Sequence, residues 1–537
     1  MTSPSILVIG LDGATWDLIR PWAEDGSLPF FQKLLRDGAS GPLRSVTPNL
    51  TPPGWTTAFT GVNPGRHGLF DFFTLDPGNT RQRLTTSKDR VAPALWEILG
   101  AEGLGCGVFN VPCSYPADPV NGFFVTGMGT PGFDGDWAWP GELRERLRSD
   151  HPGFRFGVDH SFFERRDYEG FLDALYTLTD LQEKAFLGLL GEHRPRAAIF
   201  VYDDLDRILH FFWKFMDPDH PRFEHAPDRI AEGILRYHRR IEEGIVRLRE
   251  AMGADTHLCI LSDHGFGPLH TDVYLNVFLA DWGYLQPVPA AREILRKPLW
   301  KRAAKRLVPG AVRSWLRTRV KASPLADPLG YIDFTRTRAF YASVSGRSVY
   351  VNVKGRQPCG IVDPGAEYER VRDELVERLR DIRDPETGER VVADVHKREA
   401  VYSGPCLEAA PDLLIQENGL YAYRVDWRES PFSPASQYGV EKTGSHRPLG
   451  ILALDGPMVK PASIEGARLE DVTPTLLALL GLPAGEQMEG RVLEEAFRNP
   501  PDPSKRDYSA LRGGAGRGLG ADEEAQLAER LKGLGYM

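Results

Sequence analysis

The sequence predicts an α/β fold: a mostly parallel central sheet with helices on both faces and a late inserted α+β subdomain. Three observations predict it. Short apolar runs at ILVIGLDG (6–13), AAIFVYDDLD (197–206) and THLCILSDHG (256–265) each run into aspartate. That is the pattern of buried parallel strands delivering carboxylates to the C-terminal edge of a sheet. Helical patterns separate these runs, as in PFFQKLLRDG (29–38), ALWEILGAEG (94–103) and RIAEGILRYHRRIEEGIVRLREAMG (229–253). Strands alternating with helices build a parallel sheet that binds ligands beyond the carboxyl ends of its strands. Finally, GILALDGP (450–457) returns to the buried-strand pattern after a long change of texture, and DVTPTLLALLGLP (471–483) follows it as a helix.

These elements divide the chain into a first part of the core at 1–275, an insertion at 276–440, a last part of the core at 441–499, and a flexible linker with a short terminal helix, DEEAQLAERLKGLG, within 500–537. Within the insertion, residues 291–323 carry eleven Lys or Arg against one Glu, with Leu and Trp at helical spacings. This reads as one or two basic amphipathic helices: a solvated face, a lid over an anionic substrate, or, through 292–321, a peripheral contact with an anionic membrane. Further on, RAFYASVSGRSVYVNV suggests strand pairs and EYERVRDELVERLRDI an amphipathic helix, together a cap-like α+β unit.

Composition narrows the function classes. With 42% hydrophobic and 26% charged residues, the 537-residue chain matches a folded soluble protein rather than a disordered chain or a membrane bundle. A net charge of -9 argues against a nucleic acid polymer as partner. The five cysteines are scattered, odd in number and without metal-finger spacing, which fits a reducing compartment. The start MTSPSILVIGLDG lacks the basic segment and cleavage site of a signal peptide. The expected location is cytoplasmic; the oligomeric state is left open.

The polar strand ends hold the candidate chemistry. Asp206 and His210 stand four apart, so a helix puts both on one face. Asp263 and His264 are adjacent at a strand end, and Asp12 closes the first strand. A buried carboxylate costs several kcal/mol, of order ~3, unless paired or metal-bound, so three such ends in one sheet point to cation binding. TPPGWTTAFTG at 51–61 begins with a threonine suited to a helix N-cap and prolines suited to a first turn. Taken alone, Thr51 reads as a cap, with Thr56 and Thr57 one turn along.

Taken together, these motifs resemble the alkaline phosphatase superfamily and, within it, the type I phosphodiesterase/nucleotide pyrophosphatase group. The order is Asp12-Gly13, Thr51 running to Thr60-Gly61, Pro64-Gly65-Arg66-His67-Gly68, Asp206-x-x-x-His210, Asp263-His264-Gly265 and Gly444-Ser445-His446. The resemblance covers roughly 1–130, 195–275 and 440–495. It implies two divalent metal ions: one on Asp206, His210 and His446, the other on Asp12, Asp263, His264 and the hydroxyl of Thr51. Nitrogen and carboxylate ligands suit zinc, with manganese an option where oxygens dominate. Two cations about 4 Å apart hold the attacking and leaving oxygens of an in-line displacement. Thr51 is then the catalytic nucleophile, passing through a phosphothreonine intermediate, and Arg66 and Lys442 are the candidate substrate-binding residues.

His67 is expected to fasten its turn, His270 to lie behind the ligands, and His257 to be exposed. Pro52 stands where nucleotide-cleaving members often carry an aromatic residue, and Asp71 and Phe72 stand where they place an asparagine, which weighs against a nucleotide substrate. Thr51-Pro52-Pro53-Gly54-Trp55 lacks the sulfatase signature, and the insertion falls later than in the phosphoglycerate mutases. The expected activity is metal-dependent hydrolysis of a phosphodiester or phosphomonoester in a small phosphorylated substrate. The alternatives are a phosphotransferase or mutase using the same site, and a non-catalytic phosphate-ligand binding protein.

Overall fold

Every position of the first strand is apolar because the sheet is covered on both sides. The computed structural model describes residues 4–75, 82–289, 329–343, 346–428, 430–437 and 440–511, with positions 523 and 526. The strands that frame the site are β1 (Ile6–Leu11), β2 (Ala39–Arg44), β3 (Cys106–Val111), β4 (Gly122–Thr126), β5 (Ala138–Trp139), β6 (Ala197–Tyr202), β7 (His257–Leu261), β8 (Gly265–Pro268), β9 (Gly444–Arg447) and β10 (Leu449–Asp455). The helices that matter are α1 (Thr51–Thr60), α2 (Tyr168–His193), α3 (Asp204–Met216) and α4 (Gly233–Met252).

The central sheet runs Ala462–Ser463, β2, β10, β7, β1, β6, β3, β4, β5. From β7 to β4 all neighbours are parallel. β10 is antiparallel to both β2 and β7, so the strand predicted at 450–457 rejoins the sheet between segments far from it in sequence. Along β1, Leu7, Ile9 and Leu11 enter the core packed by α2 and α4. Ile6 and Val8 enter the opposite core with α1 and the Val472–Leu479 helix. The two-residue period of a strand sends successive side chains to opposite layers. Each fully buried aliphatic side chain contributes about 1.5–3 kcal/mol.

The insertion builds a second, antiparallel sheet in the order Ala339–Tyr341, Ser348–Val351, Leu413–Glu417, Val392–Lys397. With the Ala366–Arg380 helix it encloses an apolar cluster of its own, including Phe340, Val349, Leu375 and Ile415. The predicted strand pairs and helix are therefore present. The basic stretch 291–323 lies outside the described residues, as does most of the terminal helix. Among the described residues, no helix is long and apolar enough to cross a membrane. His257 corrects the expectation of exposure: it opens β7, donates its backbone N–H to Ser5 O, and is buried.

Candidate metal centre

The carboxyl ends of β6, β1 and β7 lie side by side, and the site is built on them. Asp12 follows β1 directly. Gly13 then turns with φ +75°, and a Cβ there would meet Phe266 at 2.8 Å, so only glycine gives this exit from the strand. Past the end of β6 the chain enters α3, whose first turns carry Asp206 and, one turn on, His210. Past β7, Ser262, Asp263 and His264 lead into β8, which pairs antiparallel with β9 so that Phe266 faces His446. This hairpin-like pairing brings His446 to the site from beyond the insertion.

A set of contacts fixes β9 against α3. Thr443 N donates to His210 O (2.8 Å), and Lys214 N donates to Thr443 Oγ1 (3.3 Å). The buried Lys214 ammonium donates to Glu441 Oε2 (2.7 Å) and Glu224 Oε2 (2.6 Å).

Two groups of ligand atoms result. Asp206, His210 and His446 form one, and Asp12, Asp263 and His264 the other; all six residues are buried, and within each group the candidate ligand atoms lie within 4.8 Å of one another. In the first, Asp206 Oδ1 is 3.3 Å from His210 Nε2 and 3.1 Å from His446 Nε2, and the two Nε2 atoms are 3.3 Å apart. In the second, His264 Nε2 is 3.2 Å from Asp263 Oδ2 and 3.5 Å from Asp12 Oδ1. The His264 and His446 rings stack with centroids 3.7 Å apart, which joins the groups.

The histidine tautomers follow from the other ring nitrogen. Nδ1 of His210 faces Gly444 O (2.7 Å), that of His446 faces Asn49 O (3.1 Å), and that of His264 faces Gly265 O (3.1 Å). A carbonyl can only accept, so each Nδ1 carries the proton and each Nε2 presents a lone pair to the carboxylates. Lone pairs thus converge on lone pairs, an arrangement that a cation between them stabilises. Asp12 Oδ1 and Asp263 Oδ2 accept no hydrogen bond from any described donor. The donor set is nitrogen and carboxylate oxygen in clusters of three, which fits zinc or a similar divalent ion.

The electrostatics agree. Burial and then repulsion, from Asp263 and Asp206, hold the Asp12 carboxyl well above the usual range; Asp263 is raised in the same way by burial and by Asp206. Burial opposes ionisation of Asp206 as well; His210 and His446 lower its pKa well below the usual range when they turn an Nε2–H toward it, the proton that a bound cation would replace. Burial pushes His210 down to about 3 and, with His446 beside it, His264 well below its ordinary value.

Thr51 is not the helix cap. Leu50 takes that position in extended conformation, and Thr51 is the first residue of α1. With its hydroxyl freed from capping, Thr51 Oγ1 lies 3.4 Å from His264 Nε2, at the edge of the ligand cluster. Thr56 instead donates to Pro52 O (2.7 Å) and Thr57 Oγ1 meets His67 Nε2 (2.9 Å). His67 also accepts from Leu69 N (3.2 Å) through Nδ1, so it ties the turn to α1.

Arg66 is engaged elsewhere: its Nε lies 3.1 Å from Glu489 Oε1, and no described contact joins it to either ligand group. Lys442 is half-buried, and among the described residues its ammonium has no hydrogen-bond or ion-pair partner. Burial pushes its pKa down to about 7, with Arg424 and Arg347 adding to the effect and Asp206 and Asp272 opposing it. His270 packs edge-on against His220, outside the cluster.

Trp55 belongs to the core that α1 packs against the sheet. It is buried, yet its Nε1 also donates to Asp12 Oδ2 (3.1 Å), and its ring lies where a Cβ on Gly10 would fall, 2.5 Å away. Its place four residues after Thr51, on the same side of α1, is the signal that could have found it.

The order of strands and the two ligand groups define the class as alkaline phosphatase-like. The sequence model described as "Type I phosphodiesterase / nucleotide pyrophosphatase" matches residues 6–446, and the chain belongs to that family. Ectonucleotide pyrophosphatase/phosphodiesterase family member 1 of Rattus norvegicus is 24% identical over 303 residues, 54% of this chain and 27% of the relative. Its Homo sapiens counterpart is 30% identical over 129 residues, 23% of this chain and 14% of the relative. The match thus spans about a quarter or less of these relatives.

Among solved structures, phosphonoacetate hydrolase from Sinorhizobium meliloti 1021 superposes with a TM-score of 0.54 at 15% identity, covering 88% of this chain and 94% of that one. Human ectonucleotide pyrophosphatase/phosphodiesterase 5 gives 0.52 at 15% identity, covering 92% of this chain and 100% of that one. At that identity the likeness carries the fold.

Proposed function

We propose that this chain is a metal-dependent phosphohydrolase that cleaves a phosphodiester or phosphomonoester of a small phosphorylated substrate through a phosphothreonine intermediate on Thr51. The observation that carries the reading is the Thr51 hydroxyl beside His264 Nε2, at the rim of two buried carboxylate–imidazole groups. Asp12, Asp263 and His264 would hold one divalent ion and Asp206, His210 and His446 the other, with zinc favoured by the nitrogen ligands and manganese accepted by the oxygen-rich group. Ions bound there would lower the pKa of the threonine hydroxyl and offset the charge of the phosphoryl oxygens.

Thr51 attacks phosphorus as the bond to the leaving oxygen breaks, and water then displaces Thr51 from the opposite side. Two in-line steps give net retention at phosphorus. Trp55 holds Asp12 in place, the carbonyls of Gly444, Asn49 and Gly265 keep the imidazoles in ligating orientation, and the Lys442 amine, unpartnered among the described residues, would take a proton to meet the substrate's anionic part.

The test uses the purified full chain loaded with zinc, manganese or magnesium, assayed on p-nitrophenyl phosphate and bis-p-nitrophenyl phosphate, with bound metal counted. Turnover by wild type, its loss in Thr51→Ala, and a phosphorylated Thr51 peptide trapped by acid quench are expected. Absence of turnover with every metal removes the enzymatic reading; activity that survives in Thr51→Ala removes the nucleophile.

A further inference from the structure

We propose that the side-chain amide of Asn49 donates a hydrogen bond to a non-bridging oxygen of the phosphoryl group attacked by Thr51, with Arg347 setting the orientation of that amide. The inference rests on the reading of Thr51 as nucleophile.

The helix mouth itself is short of donors. Pro52 and Pro53 have no N–H, and Gly54 N already bonds Leu50 O at 2.9 Å, so the first turn of α1 offers a phosphoryl oxygen little beyond the Thr51 amide. Asn49 stands two residues before Thr51. The residue between them, Leu50, is extended at φ -125° and ψ 149°, and in extended chain residues two apart leave the backbone on the same side. The Asn49 amide and the Thr51 hydroxyl therefore face the same space.

The amide is held with its donor end unused. Arg347, next to the Ser348–Val351 strand of the inserted sheet, has its Nε on Glu417 Oε2 and its Nη1 on Asn49 O (3.2 Å) and Asn49 Oδ1 (3.4 Å). A guanidinium can only donate, so Oδ1 faces Arg347 and Nδ2 points away from it. Nδ2 is buried and has no hydrogen-bond partner among the described residues, on a residue only 7% exposed. Buried donors in native proteins are almost always paired, and a bound phosphoryl oxygen would complete this one. Asn49 O also receives His446 Nδ1 (3.1 Å), so one residue anchors a metal ligand with its carbonyl and addresses the substrate with its side chain.

The test compares Asn49→Ala with Asn49→Asp in the metal-loaded full chain, reading kcat and KM on bis-p-nitrophenyl phosphate, inhibition by inorganic phosphate, and bound metal. Loss of one donor to a developing negative charge lowers kcat by about 10²–10³-fold. Asn49→Ala should show that loss with both metals retained. Asn49→Asp should be worse still and insensitive to phosphate, because its carboxylate repels the phosphoryl group. If Asn49 merely served the architecture, Asn49→Asp would keep the bond to Arg347 and match or exceed Asn49→Ala; that order overturns the proposal.

Should Asn49→Asp not fold, Arg347→Lys provides the second reading, since it keeps the charge beside Glu417 but withdraws the fork from Asn49. About a tenfold lower kcat with weaker phosphate inhibition is expected, and unchanged inhibition overturns the proposal. Both variants are compared with an active wild type, so failure of the Thr51 reading, visible in wild type and Thr51→Ala, is separate.

Discussion

The two ligand groups have the same size and burial but opposite electrical character. Asp12, Asp263 and His264 bring two carboxylates to the centre of the sheet, where burial and repulsion raise the pKa of both, so that protons compete with a cation there at higher pH than at an ordinary carboxylate. Asp206, His210 and His446 bring one carboxylate between two imidazoles; Asp206 is held ionised and His210 neutral near pH 7. The first group also stands on rigid strand ends, whereas the second joins a helix to a strand from beyond the insertion by way of Lys214, Thr443 and Glu441. Affinity for a cation is therefore set by proton competition in one group and by the docking of β9 in the other.

The comparison can be broken or sharpened by experiment. The largest effect expected is at the edge of the first group: Thr51→Ala should lower kcat by about 10⁴-fold or more while two metals remain bound, as read by steady-state kinetics and elemental analysis. Next, Asp206→Asn and Asp263→Asn should each reduce bound metal from two to one, with about 10³-fold loss of turnover; retention of both ions by either variant would show that the groups are not separate sites.

These single-site variants also allow the pH contrast to be measured. As pH falls, protons compete for the raised carboxyls of Asp12 and Asp263 before they reach Asp206. Asp206→Asn should therefore lose its remaining metal at higher pH than Asp263→Asn, and the reverse order on dialysis would invalidate the contrast.

Support around the ligands should matter less and locally. Trp55→Phe removes the donor on Asp12 and should weaken metal binding at the first group about 10–100-fold, leaving the second unchanged. Lys214→Met should do the converse. Smallest of all, Arg66→Ala should change kcat/KM less than about twofold, since its ion pair with Glu489 is partly exposed and worth about 0–1 kcal/mol.

Much of the frame could be read from the chain. The β1, β6 and β7 strands are legible because burial on two faces demands unbroken apolar runs, and Asp12, Asp263 and the Asp206–His210 pair because charge at such strand ends has few structural uses. The helix at Thr51 was legible too, but its register was not: a threonine before two prolines reads as a cap, while the structure gives that place to Leu50 and turns the hydroxyl toward His264. The ion pair of Arg66 with Glu489 was not legible, because the two lie over 400 residues apart. The same holds for Arg347 on Asn49 and for Lys214 on Glu441: pairings across such separations leave no local pattern, and only the folded sheet brings them together.

The late return of the chain to the sheet orders its biosynthesis. About 180 residues separate His264 from His446, and β10 must still slot between β2 and β7. At ribosomal speeds of about 5–20 residues per second, the nascent polypeptide spends roughly ten to thirty seconds with two strand edges bare and the Asp206–His210 group lacking His446. A fold assembled this way lacks one complete ligand group until late in elongation and exposes open edges to chaperones during that interval.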